Sequence, residues 1–360
     1  MLDPTTRLAP DSARVRSSRS GILRISLLLA AIALLAGFLS ACGGGESESK
    51  KKVDAFRVGL VFDIGGLGDK SFNDAAHRGL LKAREDLGIE FEYYEPAEGS
   101  EREAALRIFA AGEADLVVGV GFLFSDDVKK VAEEFPEKKF ACIDMTYQDG
   151  DVIPPNVVGI KFREEQGSYL VGAIAGLVTQ TGTVGFVGGM DIPLIHKFEA
   201  GYRAGFEVVR PDGKVLIRYA GVTGDAFQNP TKGKELALAE IDQGADILFH
   251  ASGSTGLGVF EAVRDRDKLA IGVDSDQQAE APGHILTSMT KQVDVAVFDT
   301  AKAAKDGTFQ GGIRILGLKE GGVDYVYDEN NSQWITPEIR ERVEALRTEI
   351  AEGRIEVPAS

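Results

Sequence analysis

The chain has 360 residues, 44% of them hydrophobic and 8% aromatic, which excludes wholesale disorder and leaves room for one large or two medium domains. A formal net charge of −16 argues against nucleic acid and anionic lipid as partners.

Residues 1–41 differ from the rest: five arginines precede an apolar run from Ile25 to Leu39, and small residues then lead to a cysteine. The run is shorter than the roughly 20 residues of a bilayer span, and the positive charge lies on its N-terminal side, so it reads as a secretory signal and not as a transmembrane anchor. Leu39, Ser40, Ala41 and Cys42 resemble a bacterial lipobox, cut before the cysteine, whose thiol then takes acyl chains. Residues 42–55 are polar and glycine-rich without periodicity, a flexible tether. The expectation is a cell-envelope protein, lipid-anchored through Cys42 to the periplasmic or extracellular face of a bacterial membrane. Only Cys142 would remain free, an inert thiol buried in an apolar run, so no intramolecular disulfide is expected. Loss of the leader, with five arginines against two aspartates, takes the charge from −16 to −19.

Beyond the tether, apolar runs of strand length alternate with amphipathic stretches of helix length. Residues 57–63 read as a strand, and 71–88 as a helix on which Ala75, Ala76, Leu80, Ala83 and Leu87 recur at helical spacing until Gly88 stops it. Strands at 90–96, 115–121, 138–145 and 157–162 alternate with helices at 101–112 and 125–136. A long apolar helix at 163–182 opens a second round, with strands at 183–191, 214–221, 246–252 and 269–276 and helices at 193–210, 229–244 and 255–266. Residues 285–307 add a further helix, 311–329 resemble a hairpin, and a last helix runs from Pro337 to about Gly353. Such alternation predicts parallel sheets covered on both faces, hence two α/β lobes of similar size.

In open parallel sheets, ligands bind beyond the carboxyl ends of the strands. Those ends carry Asp63, Phe122, Asp144, the Gly188, Gly189 and Met190 group, Phe227 and Asn229, Gly253, Ser254 and Thr255, and then Asp274 and Asp276. Acids, an amide and aromatics dominate, with no nucleophile elbow. His77, His196, His250 and His284 are scattered without ligand-like spacing, so neither a metal nor another cofactor is expected.

The first of these ends opens the stretch FDIGGLGDKSFND, residues 62–74, whose glycines before a helix have the outline of a phosphate-binding loop. In that loop glycine directly precedes Lys-Ser, whereas here the order is Gly68-Asp69-Lys70-Ser71. Asp63 and Asp69 would put two carboxylates where phosphates sit, each like-charge pair costing on the order of 1 kcal/mol or more. A neutral, flat, polyhydroxylated ligand suits Asp63, the ring of Phe72 and the amide of Asn73 better. Asp69 is assigned mainly to capping the helix. Phe198 and Phe206, at helical spacing with Tyr202 and Val209, read as core.

The run Asp-x-Gly-Gly-x-x-Asp-x-Ser-Phe-Asn at 63–73, with GIKFREEQGSYLVGAIAG, GFVGGMDIPLIHKFEAGYRAGF and the segments IGVDSDQ and LTSMTKQVDVAV, resembles the basic membrane protein family of substrate-binding lipoproteins. The likeness spans about Arg57 to about Asp328, with Gly68 standing where the family usually carries an aspartate. It implies a type I periplasmic-binding-protein fold: two Rossmann-like lobes joined by three crossing segments, with a nucleoside in the cleft. The expected lobes are 56–163 plus about 285–320, and 164–284 plus about 321–335, with 336–360 as a C-terminal helix and tail. The resemblance further assigns the base to Asp63, Phe72 and Asn73, its other face to Phe227, and the sugar to Asp274, preferred over Asp276, and Lys291. Asp144 and Gly253 are further expected contacts. The function implied is capture of a nucleoside, a purine nucleoside in the first place, by a monomer that delivers it to an ABC transporter permease. The alternatives are a nutrient sensor or a binder of another small solute on the same fold, and an enzyme, which the lack of a nucleophile, base pair or metal set disfavours.

Overall fold

The structure is a computed structural model that describes residues 55–148 and 150–360. The leader, the tether and Cys42 lie outside the described residues.

The first round of the chain gives β1 (Arg57–Val61), α1 (Phe72–Leu87), β2 (Glu90–Tyr94), α2 (Glu101–Ala111), β3 (Leu116–Val120), α3 (Ser125–Glu134), β4 (Lys139–Ile143) and β5 (Val157–Phe162). The second gives α4 (Glu164–Val178), β6 (Thr183–Met190), α5 (Pro193–Val209), β7 (Lys214–Gly221), α6 (Pro230–Ile241), β8 (Ile247–Ala251), α7 (Gly256–Arg266), β9 (Leu269–Asp274) and β10 (Ile285–Lys291). Then follow α8 (Val293–Lys305), β11 (Gly312–Leu316), β12 (Val323–Tyr325) and α9 (Pro337–Ala351).

Two six-stranded sheets result, in the orders β11-β5-β4-β3-β1-β2 and β12-β10-β9-β8-β6-β7. All pairs are parallel except β10 with β12. The central strands are continuous apolar runs because helices cover both faces: Leu60, Val117, Ile143, Phe186 and Phe249 are wholly buried. Cys142 in β4 is buried as well, and desolvation pushes its thiol above the usual range. The apolar helix α4 is buried along most of its length, packed on α5, β10, β12 and α9.

Two expectations need correction. The strand Ile285–Lys291 pairs with β9 in the second sheet, so the return to the first lobe begins near Gln292 and not near residue 285. The helix α8 then packs on α1, where Gly79 meets the Asp294 backbone. Residues 311–329 are not a hairpin: β11 joins β5 in the first sheet and β12 joins β10 in the second. The run between them is the third crossing. The three crossings are bonded to one another, since Arg163 N donates to Leu316 O at 2.9 Å, Leu318 N to Gln166 Oε1 at 2.9 Å and Gln292 N to Gly322 O at 2.9 Å.

Candidate functional site

The residues that follow β1, β3 and β4 in one lobe and β8, β9 and β10 in the other face a single cavity between the lobes, about 560 Å³ including its mouth. All eight positions expected at a ligand line it: Asp63, Phe72, Asn73, Asp144, Phe227, Gly253, Asp274 and Lys291. Asp276 is exposed, its carboxylate accepting from Gln278 N, and Asn229 caps α6 by accepting from Lys232 N at 3.0 Å.

The loop between β1 and α1 is built around Asp69. Its carboxylate accepts from the backbone N–H groups of Ser71 at 2.9 Å, Asn73 at 2.8 Å and Asp74 at 3.1 Å, so it satisfies donors that the first turn of α1 leaves open. Asn73 ties the loop's two ends together. Its Oδ1 accepts from Asp63 N at 3.0 Å, while its amide donates to Asp69 Oδ2 at 3.1 Å and Ile64 O at 3.4 Å. Both amide protons are thus engaged, leaving a spare lone pair on Oδ1 for anything else.

Asp63 is half-buried, with Oδ1 accepting from Ile64 N at 2.8 Å and Oδ2 lying 1.8 Å from where a β-carbon on Gly121 would stand. Only glycine, here at φ +106°, leaves room for that carboxylate. Burial pushes the Asp63 carboxyl up to about 7 against the opposing pull of the Ile64 amide and Arg102. Burial likewise raises Asp274 to about 6, opposed by Lys291 and by the hydrogen bond from Ser71. Both groups can therefore accept or donate near neutral pH.

Lys291 lies at the end of β10 and is 2% exposed, its ammonium 2.6 Å from Asp144 Oδ2 and 3.0 Å from Glu164 Oε1. Burial opposes its charge, yet Asp144, Glu164 and Asp274 outweigh burial and hold it above the usual lysine range. Lys197 also pairs with Glu164 and Glu165. Asp144 Oδ1 is buried at the cavity wall without a hydrogen-bond partner in the protein.

On the other side, Ser254 Oγ donates to Phe227 O at 3.0 Å and Thr255 Oγ1 to Ala226 O at 2.8 Å, pinning the loop that carries Phe227. Gly253 adopts φ +55° beneath that loop. The lobes touch directly: Ser71 Oγ donates to Asp274 Oδ2 at 2.5 Å, Ser275 Oγ to Ser71 O at 3.2 Å, Arg78 to Ser275 Oγ at 2.8 Å, and Gln277 Nε2 to Lys70 O at 3.1 Å.

Sequence reasoning missed Ile64, Ile195, Phe198 and Ser252, and named Phe122 only as a strand end; all line the cavity. Phe198 is both core and wall, 3% exposed with its ring centroid 5.7 Å from the Lys291 ammonium. Glu164 was missed too, although an acid heading an apolar helix was a signal of a buried pair.

Two lobes linked by three crossings around a cleft at the strand ends define a type I periplasmic binding protein, the fold of ABC-transporter solute receptors. A solute-binding protein of an ABC transporter system from Aeropyrum pernix superposes with a TM-score of 0.78 at 32% identity, over 85% of this chain and 94% of that one. A second, from Conexibacter woesei, gives 0.69 at 27% identity over 85% and 99%. Residues 56–360 match the family model for PnrA-like ABC transporter substrate-binding proteins, and the chain belongs to that family, Bmp. Among its relatives are a lipoprotein of Pyrococcus abyssi, 40% identical over 81% of this chain and 74% of that protein, and basic membrane protein A of Borreliella burgdorferi, 35% identical over 90% and 92%. The CD4+ T-cell-stimulating antigen of Listeria monocytogenes is 34% identical over 94% and 98%.

Proposed function

We propose that this substrate-binding protein captures a nucleoside, in the first place a purine nucleoside, and hands it to an ABC permease while anchored by a lipid on Cys42. The observation that carries the ligand class is the composition of the cavity: the rings of Phe72, Phe122, Phe198 and Phe227, four aspartates, and Lys291 as the sole lining cation among the described residues. Aromatic walls suit a flat base. Carboxylates suit ribose hydroxyls and ring N–H donors.

A phosphate would meet Asp63, Asp69, Asp144 and Asp274 with the one ammonium already paired; a like-charge contact at about 4 Å costs roughly 4 kcal/mol near a protein surface. Asp63 and Phe72 take the base, Phe227 covers it from the opposite lobe, and Asp274, Lys291 and the unpartnered Asp144 Oδ1 take the sugar. Asn73 serves chiefly to shape the loop. No bond is made or broken; the action is closure of the lobes about the crossings.

Calorimetry on the mature lipoprotein tests this. Inosine, guanosine or adenosine should bind one to one without turnover, and more tightly than their monophosphates. Tighter binding of a free sugar, an amino acid or a nucleotide overturns the ligand class, and turnover overturns the receptor reading. For the anchor, Cys42→Ser should release the protein from membranes; tight retention after signal cleavage would count against it.

A further inference from the structure

We propose that Ile64 limits ligand size at one end of the cavity by closing on Gly224 of the opposite lobe; the inference rests on the nucleoside reading. Ile64 directly follows Asp63 and lines the ligand cavity. It also lines a separate depression at the cleft mouth, with Phe62, Pro96 and Arg102 from the first lobe and Asp225 and Gln228 from the second. Among the described residues no other borders both spaces. Its Cδ1 lies 2.0 Å from where a β-carbon on Gly224 would stand, so a side chain at 224 would force the Ile64 tip out of its present position.

Ile64 is therefore a partition. A base held against Asp63 has its outer edge toward Ile64, and beyond Ile64 lies about 620 Å³ of space, opening included. That space is lined by a cation, Arg102, whose guanidinium lies 3.6 Å from Asp127 and 5.8 Å from the Phe124 ring. Removing the partition should admit nucleosides whose base carries a short chain ending in an acceptor. The same chain on the sugar would not benefit, because Asp274 and Lys291 lie on the other strands.

The experiment is calorimetry on the full mature lipoprotein with adenosine and with derivatives bearing a hydroxyethyl group at N6, C2, C8 or the 5′ oxygen. Wild-type protein should bind every derivative about tenfold or more weakly than adenosine, the scale on which a closed pocket rejects added methylenes. Ile64→Ala should improve at least one base derivative by about tenfold relative to adenosine measured in the same variant, but not the 5′ derivative. Gly224→Ala should weaken adenosine because its methyl meets Ile64, and Ile64→Ala in the same chain should restore binding. Ile64→Val, the milder change, should shift the ranking in the same direction by less. An unchanged ranking in both Ile64 variants, or no rescue of Gly224→Ala, overturns the partition alone. Absence of adenosine, inosine and guanosine binding in the wild type overturns the nucleoside reading and the partition with it.

Discussion

Ser71, the residue before α1 in the first lobe, donates its hydroxyl to the Asp274 carboxylate of the second at 2.5 Å. The carboxylate proposed to receive a ribose hydroxyl is thus also a contact between the lobes, so ligand capture and closure share an acceptor. Ser71→Ala should leave the ligand-free fold intact and weaken nucleoside binding by about ten- to a hundredfold, since a hydrogen bond to a charged group is worth about 1.5–3 kcal/mol. Equal affinities by calorimetry would show that the contact does not contribute to the bound state.

The loop residues divide between ligand and fold. Phe72→Ala removes one stacking face and should cost about 1–3 kcal/mol of binding with little change in melting temperature. Asp69→Ala strips acceptors from three backbone donors, so it should lower stability by about 1–2 kcal/mol. If Asp69→Ala proves harmless to melting while Phe72→Ala leaves affinity unchanged, the division of labour is wrong.

Replacing Lys291 is expected to damage the fold. Lys291→Met leaves Asp144, 6% exposed, without its ammonium partner and Glu164, 0% exposed, with Lys197 alone, and should destabilise by about 3–5 kcal/mol. Chemical denaturation measures it, and a loss below about 1 kcal/mol would place the ammonium outside the network that the geometry describes.

Asp63 makes stability depend on pH. Its folded-state pKa, raised to about 7, exceeds that of an unfolded aspartate, about 3.9. The folded state therefore binds the proton more tightly, an advantage complete below the unfolded value and lost as pH rises through about 7. Asp63→Asn, which cannot ionise, should gain stability relative to wild type across that window and then hold a constant margin. A margin that is flat or shrinks with rising pH would contradict it.

Most strands and cavity-lining positions were legible because each central parallel strand is buried on both faces, and an apolar run ends where the chain reaches the cleft. Asp63, Asp144 and Asp274 stand out as acids closing such runs. What could not be read was pairing. Ile285–Lys291 was read as the start of a helix, whereas it forms a strand beside β9, the strand directly before it in the chain. The two short runs at 312–316 and 323–325 looked like a hairpin because the glycine-rich link suits a turn, whereas each has a partner in a different sheet. Phe198 hid because helical spacing cannot distinguish a ring packed inward from one at the edge of a cavity.

The late arrival of β11 has a consequence for synthesis. The first sheet receives its last strand, and α1 its covering helix α8, only after all of the second sheet but its edge strand β12 has been made. A nascent chain that has reached residue 178 therefore has an open edge on β5 and an uncovered face on α1. Its first lobe cannot be completed until residues 293–316 have been made. Cutting the chain between the lobes would yield an unfinished half, not two domains.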